Sequence, residues 1–395
     1  MSVSVTKSGF NVREKLKQLQ KPIGLKGSEL MRSETVQDAR DLVSAGRKNL
    51  IINGGMEVSQ RGTGAGNAAS AGQVVSCDQW KSWINGGGGT GAAFTLQQEF
   101  SVIPDNFITS LKVNQTGTAT LTGVNYNLIA NYIEGYRIAH LGFGTAAAKT
   151  VTLSFWIRSS ITGTFGGALS NTAQNRSYPF SYTIDNVNTW ERKTITIPGD
   201  TTGTWARDNS RGFLIFFSLG TGPGYSGPEG VWAGATYLSA TGVNNWVGQS
   251  STFYLTGVQL EVGRNATEFE HRSYGEELAL CHRYYQYIGT LTLHTWSHQI
   301  ADSSGMRIQQ WTFPGGPMRT TPTATYYDAA SGGNLNRWAV EDPDRLATNT
   351  NITISMQHNN QMSSAGFKYP GSVSNFSLGQ SGVAIAYRME LSAEL

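Results

Sequence analysis

From Asn49 to about Leu260 the chain repeats one pattern: a short run of β-branched and aromatic residues, then a turn rich in Gly, Ser, Thr or Asn. Residues 50–52, 93–100, 110–114, 151–158, 194–197, 212–217 and 253–260 are the runs, and the tetraglycine at 86–89 and the stretch 220–230 are among the turns. Strands at this spacing, with this punctuation, predict a two-sheet sandwich of jelly-roll type. Residues 151–158 state the pattern most clearly. Val151, Leu153, Phe155 and Ile157 alternate with Thr152, Ser154, Trp156 and Arg158, which gives one face to a core and the other to water or an interface.

Composition supports a folded, mainly β chain. Charged residues are 14% of the 395, against about 25% in an ordinary soluble protein, while aromatics hold at 11%. A disordered chain would show the reverse. The net charge of +3 is not gathered into a basic stripe, so nucleic acid is not an expected partner. No apolar run reaches the roughly 18 residues of a membrane span, and residues 1–10 lack the apolar core of a secretory signal. Cys77 and Cys281 form neither a disulfide framework nor a thiolate metal site. The expectation is a protein made in the cytoplasm and released by a route such as lysis.

Residues 1–48 form a different module. Asn11 and Glu14 have the form of a capping box, and Val12, Leu16 and Leu19 fall on one helical face before Pro22. A second helix over 33–45 carries Val36, Ala39 and Val43, with Gly46 as its stop. Helices this short need a surface to bury against, either the chain's own body or a partner. A further boundary falls in residues 264–290, read as a linker with a short helix from 276 to 285. The β pattern then resumes over 291–395 as a small C-terminal β domain, expected to lie distal and to contact the receptor if the fibre anchors by its N-terminus.

Two blocks resemble a known family. NLIINGGMEVSQRG at 49–62 is similar to the opening phrase of bacteriophage tail-fibre and tail-associated proteins that begin a carbohydrate-binding-module-like (galactose-binding-like) sandwich. LTGVQLEVG at 255–263 resembles the closing strand of those sandwiches, and ATEFEHRSYGEEL at 266–278 with Cys281-His282-Arg283-Tyr284-Tyr285 resembles the segment after it. Asp78-Gln79-Trp80 and IEGYRI at 133–138 match phrases between. The resemblance covers 49–285, and the N-terminal module is similar to marine podovirus (cyanophage) tail proteins. It implies a homotrimeric fibre in the virion tail, attached through residues 1–48 to other tail proteins and meeting a bacterial surface glycan or receptor. It also implies a structural calcium, for which Glu57 matches one carboxylate while Thr256 and Gly257 stand where others would be.

Sugar binding calls for exposed rings with amides nearby. The Gly-rich loops offer Tyr225, Trp232 and Trp246 with Asn245; the C-terminal part offers Trp296, Trp311 and Trp338. Loop rings serve equally to seal a trimer interface, and Trp80, Trp83 and Trp156 read as core or inter-subunit packing. Catalytic signatures are lacking: His294 and His298 sit in a strand-like context, about 13 Å apart at roughly 3.3 Å per residue. Glu341, Asp342 and Asp344 surround Pro343 in what reads as a turn. The chain reads as a non-enzymatic fibre without a cofactor; a tail-borne depolymerase or a decoration protein without a receptor role are the alternatives.

Overall fold

The computed structural model describes residues 48–62, 67–68, 76–85, 94–115, 120–248, 250–288, 300–302, 305–312, 315–327, 337–341, 352–353, 355–356, 364–369, 383–385 and 388–395. The strands at 67–68, 300–312, 337–341, 352–369 and 383–389, and residues 324 and 326–327, are described by backbone alone. The chain divides between Lys48 and Asn49. The helical module with Val12, Leu16, Leu19, Val36 and Val43 lies outside the described residues.

The body is mainly β, an antiparallel sandwich of two sheets. One sheet has six strands in the order β1 (Asn67–Ala68), β3 (Phe94–Glu99), β4 (Ser110–Gln115), β13 (Thr252–Val262), β6 (Val151–Ser159), β9 (Glu191–Ile197). The other has five, in the order β2 (Trp80–Asn85), β5 (Tyr126–Glu134), β10 (Arg211–Thr221), β7 (Gly163–Asn171), β8 (Ser177–Ile184). Val151, Leu153, Phe155 and Ile157 of β6 face inward as the alternation requires, meeting Ile129, Phe165, Phe180, Phe213 and Phe217 from the opposite sheet in one core. Phe155 packs edge-on against Phe217 at 5.0 Å and Tyr182 at 5.1 Å.

Between β10 and β13 the chain forms the two-residue parallel pair β11 (Ser226–Gly227) and β12 (Ser239–Ala240), laying Leu238 on the outer layer of the five-stranded sheet and returning Trp246 and Val247 to the core. Helix α1 (Tyr274–His282) is shorter and earlier than the sequence suggests; Ser273 and Glu276 cap it reciprocally. β14 (Tyr285–Ile288) comes directly afterwards. It pairs with β23 (Arg388–Ser392), which also pairs with β17 (Thr323–Tyr327).

Residues 264–288 therefore do not behave as a free linker. Arg283 of this stretch bonds Glu134 of β5 at 2.6 and 2.8 Å, and Thr267 bonds Glu261 of β13 at 2.7 Å. The end of the C-terminal part returns to the same place. The Ala393 amide donates to the Tyr284 carbonyl at 2.7 Å, and Arg319 donates to carbonyls of Ala393, Glu394 and Asn209. The remaining strands of that part, β15 (Ile300–Asp302), β16 (Gly305–Thr312), β18 (Arg337–Glu341), β19 (Ile352–Thr353), β20 (Ser355–Met356), β21 (Ser364–Tyr369) and β22 (Val383–Ile385), form two small antiparallel sheets.

Candidate functional site

The phrases that opened and closed the sequence pattern meet in space. Gly257 at φ +59° forms a bulge in β13, where a side chain would strike Phe107 and Trp156. Beyond the bulge, Val258 and Leu260 take up the opening segment: the Val258 amide donates to the Gly54 carbonyl and the Leu50 amide to the Leu260 carbonyl, each at 2.9 Å. Gly54 is required here because a Cβ would lie 2.1 Å from the Val258 oxygen.

Two asparagines pin this junction. Asn49 donates from Nδ2 to the Val258 carbonyl and accepts at Oδ1 from the Ile51 and Leu260 amides. Asn53 donates from Nδ2 to the Val58 and Asp78 carbonyls, at 2.8 Å each, and accepts the Val58 amide. Its own amide donates to Glu277, and its carbonyl receives the Trp80 indole N–H at 2.9 Å. Arg272 pairs with both Glu270 and Glu277 at 3.3 Å. This clasp spends its polar atoms on one another.

Asp78 lies just beyond it, fully buried. Burial pushes its carboxyl up to about 6, against the opposing pull of Arg61, 3.7 Å away, and of donors from Gln60. Glu57, the residue matching the expected calcium carboxylate, is half-buried; burial and then the charge of Glu277 raise its pKa. No group of three or more potential metal ligands gathers among the described residues. Opposite it, Thr256 gives its hydroxyl to the Gly55 carbonyl. A calcium ion wants about six to eight oxygens, several of them charged. These residues do not supply that set.

The second notable surface is the outward face of the five-stranded sheet. Leu128, Ala130, Tyr132, Ala168, Leu214, Phe216 and Leu238 form an apolar layer there, with Trp83, Tyr126 and Tyr225 half-buried along it. The rings run as a strip. Tyr225 meets Tyr126 at 5.6 Å, Tyr126 meets Trp83 at 6.2 Å, and Trp83 meets Tyr132 at 6.0 Å and Phe216 at 5.6 Å. Tyr126 and Tyr132 are six positions apart on β5, about 20 Å of strand at about 3.3 Å per residue. At the Tyr132 end, Lys81 Nζ lies 5.0 Å and the Arg211 guanidinium 5.3 Å from the ring centroid. Lys81 is held by Glu394 at 3.4 Å and by the Leu395 carbonyl at 2.7 Å.

Of the rings chosen from the sequence whose side chains are described, Tyr225 joins this strip and Trp232 and Trp246 do not. Trp246 is a correction: only 1% exposed, it stacks on Phe165 at 3.9 Å in the core and has no free face for a sugar. The glycines around it suggested a loop, yet they bring the chain back into the sandwich. Asn245 beside it is a loop tie, accepting the Thr221 amide at 3.1 Å. Trp232 is half-buried in a separate cluster with Phe143, Tyr178 and Trp205, its indole N–H donating to Pro198. Trp296 lies outside the described residues, as do His294, His298, Asp342 and Asp344. Trp311 and Trp338 are placed on strands β16 and β18, and Glu341 ends β18. Trp83, read from sequence as packing, and Tyr126 and Tyr132, not singled out, are the rings that sequence reasoning missed. The signal was present: in a strand whose Trp80 is core, Trp83 falls on the opposite face.

No protein-family model matches the chain, and no curated protein matches it. Among solved structures, the enzymatically active domain of bacteriophage CBA120 tailspike protein 4 matches at 13% identity and TM-score 0.27, covering 52% of this chain and 22% of that one. A CBM4 structure matches at 15% identity and TM-score 0.31, over 54% of this chain and 99% of its own. A CBM61 in complex with β-1,4-galactotriose matches at 10% and 0.28, over 55% and 100%. Likeness at this level carries no functional argument, and the sandwich is read from its own strand pairings.

Proposed function

We propose that this chain is a non-enzymatic structural subunit of a phage tail fibre, and that it touches a host-surface glycan through the outward face of its five-stranded sheet. The observation that carries the glycan part is the strip of half-buried rings Tyr225, Tyr126 and Trp83, which abuts the buried Tyr132. Rings that keep one flank open on a rigid sheet suit the apolar faces of sugars, and the sheet pre-pays the ordering cost. The phage part rests on the phrases at 49–62 and 255–285, whose residues build one continuous clasp. In this reading residues 1–48 attach the fibre to other tail proteins, three chains associate, and the assembled virion carries them. Three weak contacts on one body reinforce each other through effective concentration.

The test is retention of the purified chain on immobilised bacterial surface polysaccharides, alongside Trp83→Ala. Binding by the wild type and its loss in a folded variant is the expected result. Release of new reducing ends would instead identify a depolymerase, and a stable monomer by native mass spectrometry would remove the trimer from the proposal.

A further inference from the structure

We infer that the polymer recognised by this face is anionic, its carboxylate or phosphate oxygens taken by Arg211 at the end of the ring strip; the inference rests on the glycan reading above. Positive charge is left over at this place. Around the Tyr132 end of the sheet, the carboxylates of Glu134 and Glu394 are already committed. Glu134 accepts two bonds from Arg283 and one from the Tyr284 hydroxyl at 2.9 Å. Glu394 is shared between Arg61 at 3.0 Å and Lys81 at 3.4 Å. Arg319 spends its guanidinium on backbone carbonyls of Asn209, Ala393 and Glu394. Arg211 has no carboxylate within salt-bridge distance among the described residues; its guanidinium lies by the Tyr132 ring.

Position distinguishes Arg211 from its neighbours. It is half-buried at the start of β10, while Lys81 is buried and saturated. Lys81 and Arg211 flank the same ring, at 5.0 and 5.3 Å from the Tyr132 centroid, so their charges repel; burial chiefly lowers the Lys81 pKa, Glu394 opposes it, and Arg211 adds to the lowering. An anion arriving beside Arg211 would relieve that repulsion. A planar guanidinium with a flat ring beside it is suited to a two-oxygen anion, which it can meet with paired N–H bonds. A sugar stacked on Trp83 could place an acidic substituent toward Tyr132, since those ring centroids are 6.0 Å apart. Neutral sugars would use the rings and leave Arg211 idle.

The experiment uses the full chain on a panel of bacterial surface polysaccharides. Each is presented native, after carboxyl reduction, which removes uronate charge, and after hydrofluoric acid treatment, which removes phosphodiesters. Hydrogen bonds to charged groups contribute about 1.5–3 kcal/mol, so affinity for the native polymer should exceed that for the neutralised one by about 10-fold or more. The treatment that abolishes this excess identifies the anion. Arg211→Gln should erase the preference while keeping the residual ring-driven binding and the thermal midpoint. Arg211→Lys should retain part of it, and added salt should weaken the native interaction only. Equal binding to all forms, or a preference unchanged in Arg211→Gln, would overturn the acidic reading and leave the glycan reading standing. Absence of binding to any form would overturn both.

Discussion

The two sheets of the sandwich differ in what they do with their outer faces. In the six-stranded sheet the outward positions are mostly polar; Trp156 and Tyr254 also point outward, and Tyr254 is covered by Arg158 and Trp190. Thr194 and Thr196 of β9 are exposed, and where residues 264–272 cover the sheet, Gln259 and Glu261 are buried but bonded to Thr267, Glu268 and Glu270. In the five-stranded sheet the central strands β5 and β10 are apolar on both faces. β10 alternates Phe213, Ile215 and Phe217 toward the core with Leu214 and Phe216 toward the outside, and all of these are buried. One sheet is finished by water and hydrogen bonds. The other needs cover, receives part of it from Leu238 and Leu395, and leaves a strip of rings half open.

The largest test of that contrast is a pair of outward substitutions. Phe216→Ala removes a fully buried ring from the outer layer and should cost about 3–5 kcal/mol, as for a core phenylalanine. Thr194→Ala, outward on the other sheet, should stay within about 0.5 kcal/mol. Urea denaturation of both variants measures the difference. Equal costs would mean that the five-stranded sheet does not depend on its outer layer.

That contrast also explains which parts were legible in the sequence. The 151–158 alternation announced β6 and its inward set correctly, because a sheet with one polar face writes its register into the chain. β5 and β10 carry near-continuous apolar runs, and a run without alternation names a strand but not which residues face outward. Tyr126 was therefore hidden, whereas Trp83 on β2 could have been placed outward by its spacing from Trp80. Trp246 misled for a related reason: its neighbours are Gly, Ser and Asn, but its ring stacks on Phe165 from a distant strand. Asn49 and Asn53 belonged to a recognisable phrase, yet their partners Val258 and Glu277 lie more than 200 positions away. Hydrogen-bond partners at that separation leave no local pattern.

A smaller effect, about 3 kcal/mol, is expected where the clasp meets the five-stranded sheet. Asp78 precedes β2 and has its carboxyl raised from 3.8 to about 6 in the folded chain. A raised carboxylate binds its proton more tightly folded than unfolded. Its contribution is therefore most favourable below about pH 4 and is lost as pH rises through about 6, by about 1.4 kcal/mol for each pH unit between those two values. Asp78→Asn, which cannot ionise, should lack that component. Subtracting its unfolding free energy from that of the wild type between pH 4 and 7 should give a falling difference. A flat difference would mean that Arg61 and Gln60 compensate the burial fully.

The smallest change in stability should carry the largest change in function. Trp83 and Trp156 are both half-buried and both point outward, one from each sheet. Replacing either with alanine removes partial packing and should cost on the order of 1 kcal/mol, less than a buried tryptophan. Their effects on binding should separate. Trp83 sits mid-strip between Tyr126 and Tyr132, so its loss should weaken polysaccharide retention about 10-fold or more, as truncating a central aromatic contact costs about 2 kcal/mol or more. Trp156 stands beside the β13 bulge near Phe107, far in sequence from any ring of the strip, and its loss should leave retention unchanged. If Trp156→Ala abolished binding and Trp83→Ala did not, the roles of the two sheets would be reversed, and the polar outer face would be the one that meets the host.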